Sequence, residues 1–188
     1  SADIETLFII HDLMVKIGFS EFTIRINNRM ILNGLLEILG LQAQSAEVLR
    51  ALDKLPKIGP EAVIKEMRGQ GRLTQEQAEK VISLTTAQGS TATILNSLEQ
   101  QLSGNACGEQ GVQYLREIFQ SVERAGIPGE RIVLDPSIAR GLDYYTGTIY
   151  ETFLNQLPGI GRVCSGGRYD NLAELFTTQA LPGVGASL

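Results

Sequence analysis

Two features of the sequence predict an α+β fold: part of an antiparallel sheet with flanking helices, interrupted by an all-helical insertion. Alternation of apolar and polar residues is confined to the two ends of the chain, whereas residues 45–125 carry apolar side chains at helical spacing. The last strands follow one another through short connections, which favours antiparallel pairing. The chain accordingly divides into 1–44 and 126–188, two parts of one sheet-bearing unit, and 45–125, the helical insertion.

The elements follow in order. Ile4, Leu7, Phe8, Met14 and Val15 recur at near-helical spacing until Gly18 stops the pattern, which predicts an amphipathic helix over 2–16. Phe22 to Ile26 alternates and is β-branched, as a half-buried strand is, and Asn27-Asn28 offers a cap for a helix from Met30 to Leu39. In the middle region Val48, Leu49, Leu52 and Leu55 mark the first of several short helices, punctuated by Pro56, Gly59-Pro60, Gly69, Gly71 and Gly89. Thr74-Gln-Glu-Gln77 is spaced as a capping box for a helix from Gln75 to about Gln88, with another over Thr93 to Leu102. A loop over 103–108 then precedes a helix from Val112 to Ala125. Beyond Gly126, strands are predicted at Arg131–Leu134, Tyr144–Phe153 and Arg162–Cys164.

The chain of 188 residues, 43% of them hydrophobic, is sufficient for a packed core. No apolar run reaches the roughly eighteen residues of a membrane helix, and the opening residues lack a basic signal-peptide start, so a cytoplasmic location without membrane association is the expectation. Cys107 and Cys164 stand far apart without metal-ligand spacing, which points to free thiols and to no metal site. A net charge of −5 argues against broad charge-driven nucleic-acid binding but leaves room for a local basic patch. His11 beside Asp12 is the only histidine and reads as structural or solvated.

The residues that carry chemistry lie in two blocks, Arg140-Gly-Leu-Asp-Tyr-Tyr-Thr-Gly-Thr-Ile-Tyr-Glu151 and Ser165-Gly-Gly-Arg-Tyr-Asp-Asn-Leu172. Arg140, next to a glycine, offers a planar fork to a carboxylate or phosphate. If 144–151 is extended, Tyr145, Gly147 and Glu151 share one face and Tyr144 and Tyr150 the other, so one tyrosine enters the core while another meets a ligand. Ser165-Gly-Gly167 is expected to form a tight turn with its amides towards a ligand, with Tyr169 placed at the start of a helix over 170–176.

Both blocks closely resemble the two signature motifs of the histidyl-tRNA synthetases. The resemblance extends to Ala2-Asp-Ile-Glu5, to Arg25-Ile-Asn-Asn-Arg29 and to Leu52-Asp-Lys54-Leu-Pro-Lys57-Ile-Gly59, and so covers essentially the whole chain. It implies a class II synthetase catalytic domain that activates histidine with ATP and Mg²⁺ and transfers it to tRNA(His), acting as a homodimer at full length. Arg140 would bridge the histidine carboxylate and the α-phosphate as the catalytic residue. Tyr145 and Tyr169 would line the imidazole pocket, Leu142 and Gly167 would contribute wall and backbone, and Tyr144 completes the histidine-binding set. Lys54, Lys57, Lys65, Arg68 and Arg72 would touch tRNA from the insertion. The family's three class II motifs and anticodon-binding domain have no counterpart here, so an inactive isolated segment is expected. The alternative is a synthetase-like regulatory subunit of ATP phosphoribosyltransferase. It ranks behind because such paralogues usually lack the arginine-led block and the helical insertion. A third reading, an RNA- or protein-binding module, needs no intact Arg140, Tyr145 and Tyr169 set.

Overall fold

The computed structural model describes residues 1–141 and 144–188. They form an α+β fold whose single sheet has the order β2-β1-β3-β4-β5, with β1 Phe22–Asn28, β2 Ile132–Leu134, β3 Thr148–Leu154, β4 Arg162–Arg168 and β5 Val184–Ser187. Only β1 and β2 run parallel, and the long crossover between them carries six helices; the remaining neighbours are antiparallel.

Strand β1 is central because its sequence suits it: Phe22, Ile24 and Ile26 are buried and Arg25 faces out. It continues through Asn27 and Asn28, two residues further than the alternation alone predicts. Asn28 then caps α2 (Arg29–Ile38), its side chain accepting from the Met30 amide at 3.0 Å. Helix α1 (Ala2–Ile17) ends as expected at Gly18, whose φ of 103° suits glycine. Tyr150 of β3 is buried beneath α1 and donates to the Asp3 carbonyl oxygen at 2.9 Å.

The crossover proceeds through α3 (Ser45–Asp53), α4 (Leu55–Gly69), α5 (Gln75–Thr85), α6 (Thr91–Gln101) and α7 (Ala106–Arg124). The α4 run breaks at Gly59, φ 78°, ahead of Pro60, and α5 carries the full reciprocal capping box of Thr74 and Gln77. Helix α7 begins well before Val112, because Asn105 caps it by accepting from the Gly108 amide at 2.8 Å. Residues expected to form a loop thus make its first turn. The glycines there serve a tertiary purpose. A Cβ on Gly34 of α2 would lie 2.7 Å from the Gly108 backbone, so glycines on both sides allow α2 and α7 to touch.

Three further differences concern the last third of the chain. Tyr144 and Tyr145 precede β3 in a turn whose amides both reach the Gly141 carbonyl, so period-two alternation does not apply to them. The stretch Ser165-Gly-Gly167 is extended within β4 rather than turned. Its glycines admit a neighbour: a Cβ on Gly166 would stand 2.2 Å from the Gly185 carbonyl oxygen of β5. The predicted helix over 170–176 contracts to one 3₁₀ turn at Leu172–Leu175.

An ion pair ties α1 to β4. Arg168 donates to both carboxylate oxygens of Asp3, at 2.5 to 3.1 Å, and to Asp170 at 2.8 Å. Burial pushes the Asp3 carboxyl up, but the hydrogen bonds and charge of Arg168 outweigh it and leave the group below its ordinary range.

Two outcomes follow from this packing. Gly34→Ala is expected to lower the unfolding free energy by about 1–3 kcal/mol, as overpacking does, although alanine is the better helix former. Urea unfolding reads it, and undiminished stability would show that α2 and α7 do not need the contact. The depressed Asp3 contributes stability above its unfolded pKa of about 4, and that contribution is lost as pH falls through the folded value. Thermal midpoints should therefore drop on acidification below about pH 4. Asp3→Asn should be less stable at neutral pH and show a flatter acid profile, and parallel profiles for parent and variant would contradict this.

Candidate functional site

The connection from β2 to β3 carries Arg140, and two buried side chains from the other end of the chain hold it. Asn27 donates to the carbonyls of Pro136 and Ile138 at 3.1 and 3.0 Å. Arg29 donates to the carbonyl of Ala139 at 3.1 Å and to that of Arg140. Asp135 closes the start of the loop, accepting from the Ser137 amide and hydroxyl at 3.1 and 2.5 Å. Carbonyls that would otherwise be buried without donors are thereby satisfied, and the backbone at Arg140 is fixed.

The Arg140 side chain reaches over β3. Its Nε stands 3.1 Å from Oδ1 of Asp53, the last residue of α3, and 3.8 Å from Oε1 of Glu151 on β3. Neither approach meets hydrogen-bond geometry, so the contacts are ionic. Arg162 of β4 donates to the same Glu151 oxygen at 3.2 Å. Glu151 is only 6% exposed; burial pushes its carboxyl up, and Arg162 and Arg140 oppose the shift.

Two cavities of about 320 and 620 Å³ adjoin at this cluster and share Asp53, Arg140 and Glu151. The smaller is lined also by Tyr144, Tyr145 and Ser165, and the larger extends to Arg25, Lys57 and Arg162. The Tyr145 and Tyr144 rings meet at a tilt of 59° with centroids 4.4 Å apart. The Tyr145 ring lies against two glycines: a Cβ at Gly141 would fall 1.9 Å from it and one at Gly167 2.9 Å. Gly141 also has φ 68°, so glycine is required there twice over. Burial and the Tyr144 hydroxyl push the Tyr145 phenol up from its ordinary value, so it remains a neutral hydroxyl able to donate or accept.

Of the predicted site residues, Arg140, Tyr144 and Tyr145 line one cavity, and Gly167 borders it under the Tyr145 ring. Tyr169 lies further along the sheet, half-buried, its ring against Gly183 and its hydroxyl over Gly185. Leu142 lies outside the described residues. Lys54, Lys57, Lys65, Arg68 and Arg72 are all exposed on or near α3 and α4. Lys54 pairs with Glu66, Lys57 lines the larger cavity, and Arg72 adopts φ 56°. His11 packs against Phe22, ring centroids 5.7 Å apart and tilted by 55°.

Four groups at the site escape sequence reasoning. Asp53, Asn27, Arg29 and Arg162 carry no local signature of function, because each acts across a sequence separation bridged only by the fold. Glu151 closed the first block and could have been singled out as a carboxylate on the face of Tyr145. A third cavity, of about 400 Å³, lies beside Asp3, Arg168 and Asp170, whose charges pair with one another. Among the described residues no cluster of three potential metal ligands occurs, and no helix is long and apolar enough to cross a membrane.

The protein-family model described as histidyl-tRNA synthetase matches residues 1–188. A histidine–tRNA ligase of Rhodopirellula baltica is 52% identical over 187 residues, which are 100% of this chain and 42% of that protein. Among solved structures, the histidyl-tRNA synthetase from Nostoc sp. PCC 7120 superposes with a TM-score of 0.92 at 35% identity, over 98% of this chain and 44% of the other. A structure described as an ATP phosphoribosyltransferase regulatory subunit/histidyl-tRNA synthetase from Bacillus halodurans gives a TM-score of 0.82 at 22% identity, over 98% and 46%, a likeness of fold alone. The chain thus spans less than half the length of these relatives. With the family model matching its whole length and such identity along it, the chain belongs to the histidyl-tRNA synthetase family.

Proposed function

We propose that this chain contributes the histidine and adenylate site of a histidine–tRNA ligase. The observation that carries the reading is the setting of Arg140: its backbone is fixed by Asn27 and Arg29, and among the described residues its nearest approach to both Asp53 and Glu151 is made by Nε. The Nη edge is the part proposed to meet a carboxylate and a phosphate, with Tyr145 lining the same cavity for the imidazole. Tyr144, Gly167, Leu142 and Tyr169 complete the proposed histidine-binding set.

In the reaction, the carboxylate of histidine attacks the α-phosphorus of ATP and pyrophosphate leaves. The tRNA terminal ribose hydroxyl then attacks the activated carbonyl and releases AMP. The chain needs no nucleophile of its own. Arg140 would align the carboxylate with the α-phosphate and offset charge that develops there. Mg²⁺, bound with ATP, would add charge stabilisation at the phosphates.

Residues 45–125 are proposed as the insertion unit, with Lys54, Lys57, Lys65, Arg68 and Arg72 as phosphate partners for tRNA(His). A homodimer and a cytoplasmic location complete the reading. The regulatory-subunit alternative rests on structural neighbours that share only the fold, and the 52% relative is a ligase by name.

The test is histidine-dependent exchange of labelled pyrophosphate into ATP, with Mg²⁺, by a full-length protein carrying these residues. The parent should catalyse exchange, and Arg140→Ala should lose about 10²–10³-fold in rate, as when an oxyanion-type donor is removed. Histidine binding without exchange in the parent would shift the assignment to the regulatory subunit.

A further inference from the structure

We propose that Asp53, at the end of α3, is a positioning residue that holds the Arg140 guanidinium by its Nε side and so presents the Nη edge to the substrate. The inference rests on the synthetase reading of the site and deepens it.

Several observations single out Asp53. Its Oδ1 lies 3.1 Å from Arg140 Nε, nearer than the Glu151 carboxylate at 3.8 Å. Glu151 is also shared with Arg162 at 3.2 Å, whereas the ion pair of Asp53 among the described residues is with Arg140. The neighbouring cation, Lys54, pairs with Glu66 instead. The location is otherwise unfavourable for an acid. As the last residue of α3, Asp53 sits at the negative end of the helix dipole, where a cation is preferred. It also faces Glu151, whose carboxyl is pushed up by burial first and by Asp53 in addition. An acid placed against both fields is compensated by a strong local cation, and Arg140 is that cation.

The chemical consequence concerns freedom of motion. The Arg140 side chain is 42% exposed, and an arginine tethered only by its backbone samples many rotamers. A carboxylate on Nε removes much of that freedom without occupying the edge that makes bidentate contacts. Because Asp53 belongs to α3, the placement of the helical region becomes part of the geometry of the site.

The test is a double-mutant cycle in the full-length protein, read by steady-state histidine-dependent pyrophosphate exchange. Asp53→Asn should lower kcat about tenfold or more through misplacement of Arg140, with KM for histidine changed by less than about threefold. Asp53→Glu should recover part of the loss. In an Arg140→Ala background, which has no cation, Asp53→Asn should alter kcat by less than about twofold, because the partner is already gone.

Parental activity in Asp53→Asn would overturn the inference. So would an equal loss in both backgrounds, which would mean that Asp53 acts only through folding of the helical region. A parent without exchange would overturn the synthetase reading and this inference together, whereas a parent that exchanges as fast as its Asp53→Asn variant overturns the inference alone.

Discussion

The grip of Asn27 and Arg29 on the backbone of residues 136–140 is the constraint on which the site depends. Both side chains are buried, and both lie where β1 gives way to α2, so they are oriented by the buried centre of the sheet. Their donors meet carbonyls more than a hundred residues further along the chain. Each net hydrogen bond contributes only about 0.5–1.5 kcal/mol, but leaving a buried partner unpaired costs about 1–3 kcal/mol. The loop is therefore specified as much by the penalty for misplacement as by the gain on pairing. Arg140 inherits that precision, and the acids around it add a second layer of restraint on its side chain.

The same economy of space recurs where backbones come close. Gly34 against Gly108 brings two helices into contact, and Gly166 against β5 brings two strands together. Gly141 and Gly167 clear room for one ring, that of Tyr145. The glycines of both signature blocks are thus packing devices, and the tyrosine hydroxyl they position is kept protonated by burial and by its neighbour. Structure and chemistry meet at this point, because the residues that admit the ring also decide where its oxygen can lie.

The legible parts of the fold were those governed by neighbours in sequence. The capping box at Thr74, the cap at Asn28 and the stop at Gly18 depend on residues within a turn, and the structure has them as read. The failures have a common cause. Gly108 looked like a loop residue, and Ser165-Gly-Gly167 like a turn, because glycine serves tertiary approach and backbone reversal alike. The strand drawn through Tyr144 began too early since the turn at Gly141 was not recognised. At the site, the two blocks were visible as motifs, and Arg140, Tyr144 and Tyr145 share a cavity. Asp53 and Arg162 were invisible, because an ion pair across a helix-to-loop gap or between neighbouring strands leaves no periodicity to read.

The central claim is that Arg140, Tyr145 and Glu151 frame the place where the activated amino acid forms. A crystal structure of the full-length protein with a non-hydrolysable histidyl-adenylate analogue tests it most directly. The account predicts the Arg140 Nη atoms within hydrogen-bond reach of the phosphate mimic, the imidazole beside the Tyr145 hydroxyl, and Asp53 still on Nε. An analogue seated instead beside Arg168 and Asp170, with Arg140 turned away to solvent, would contradict it.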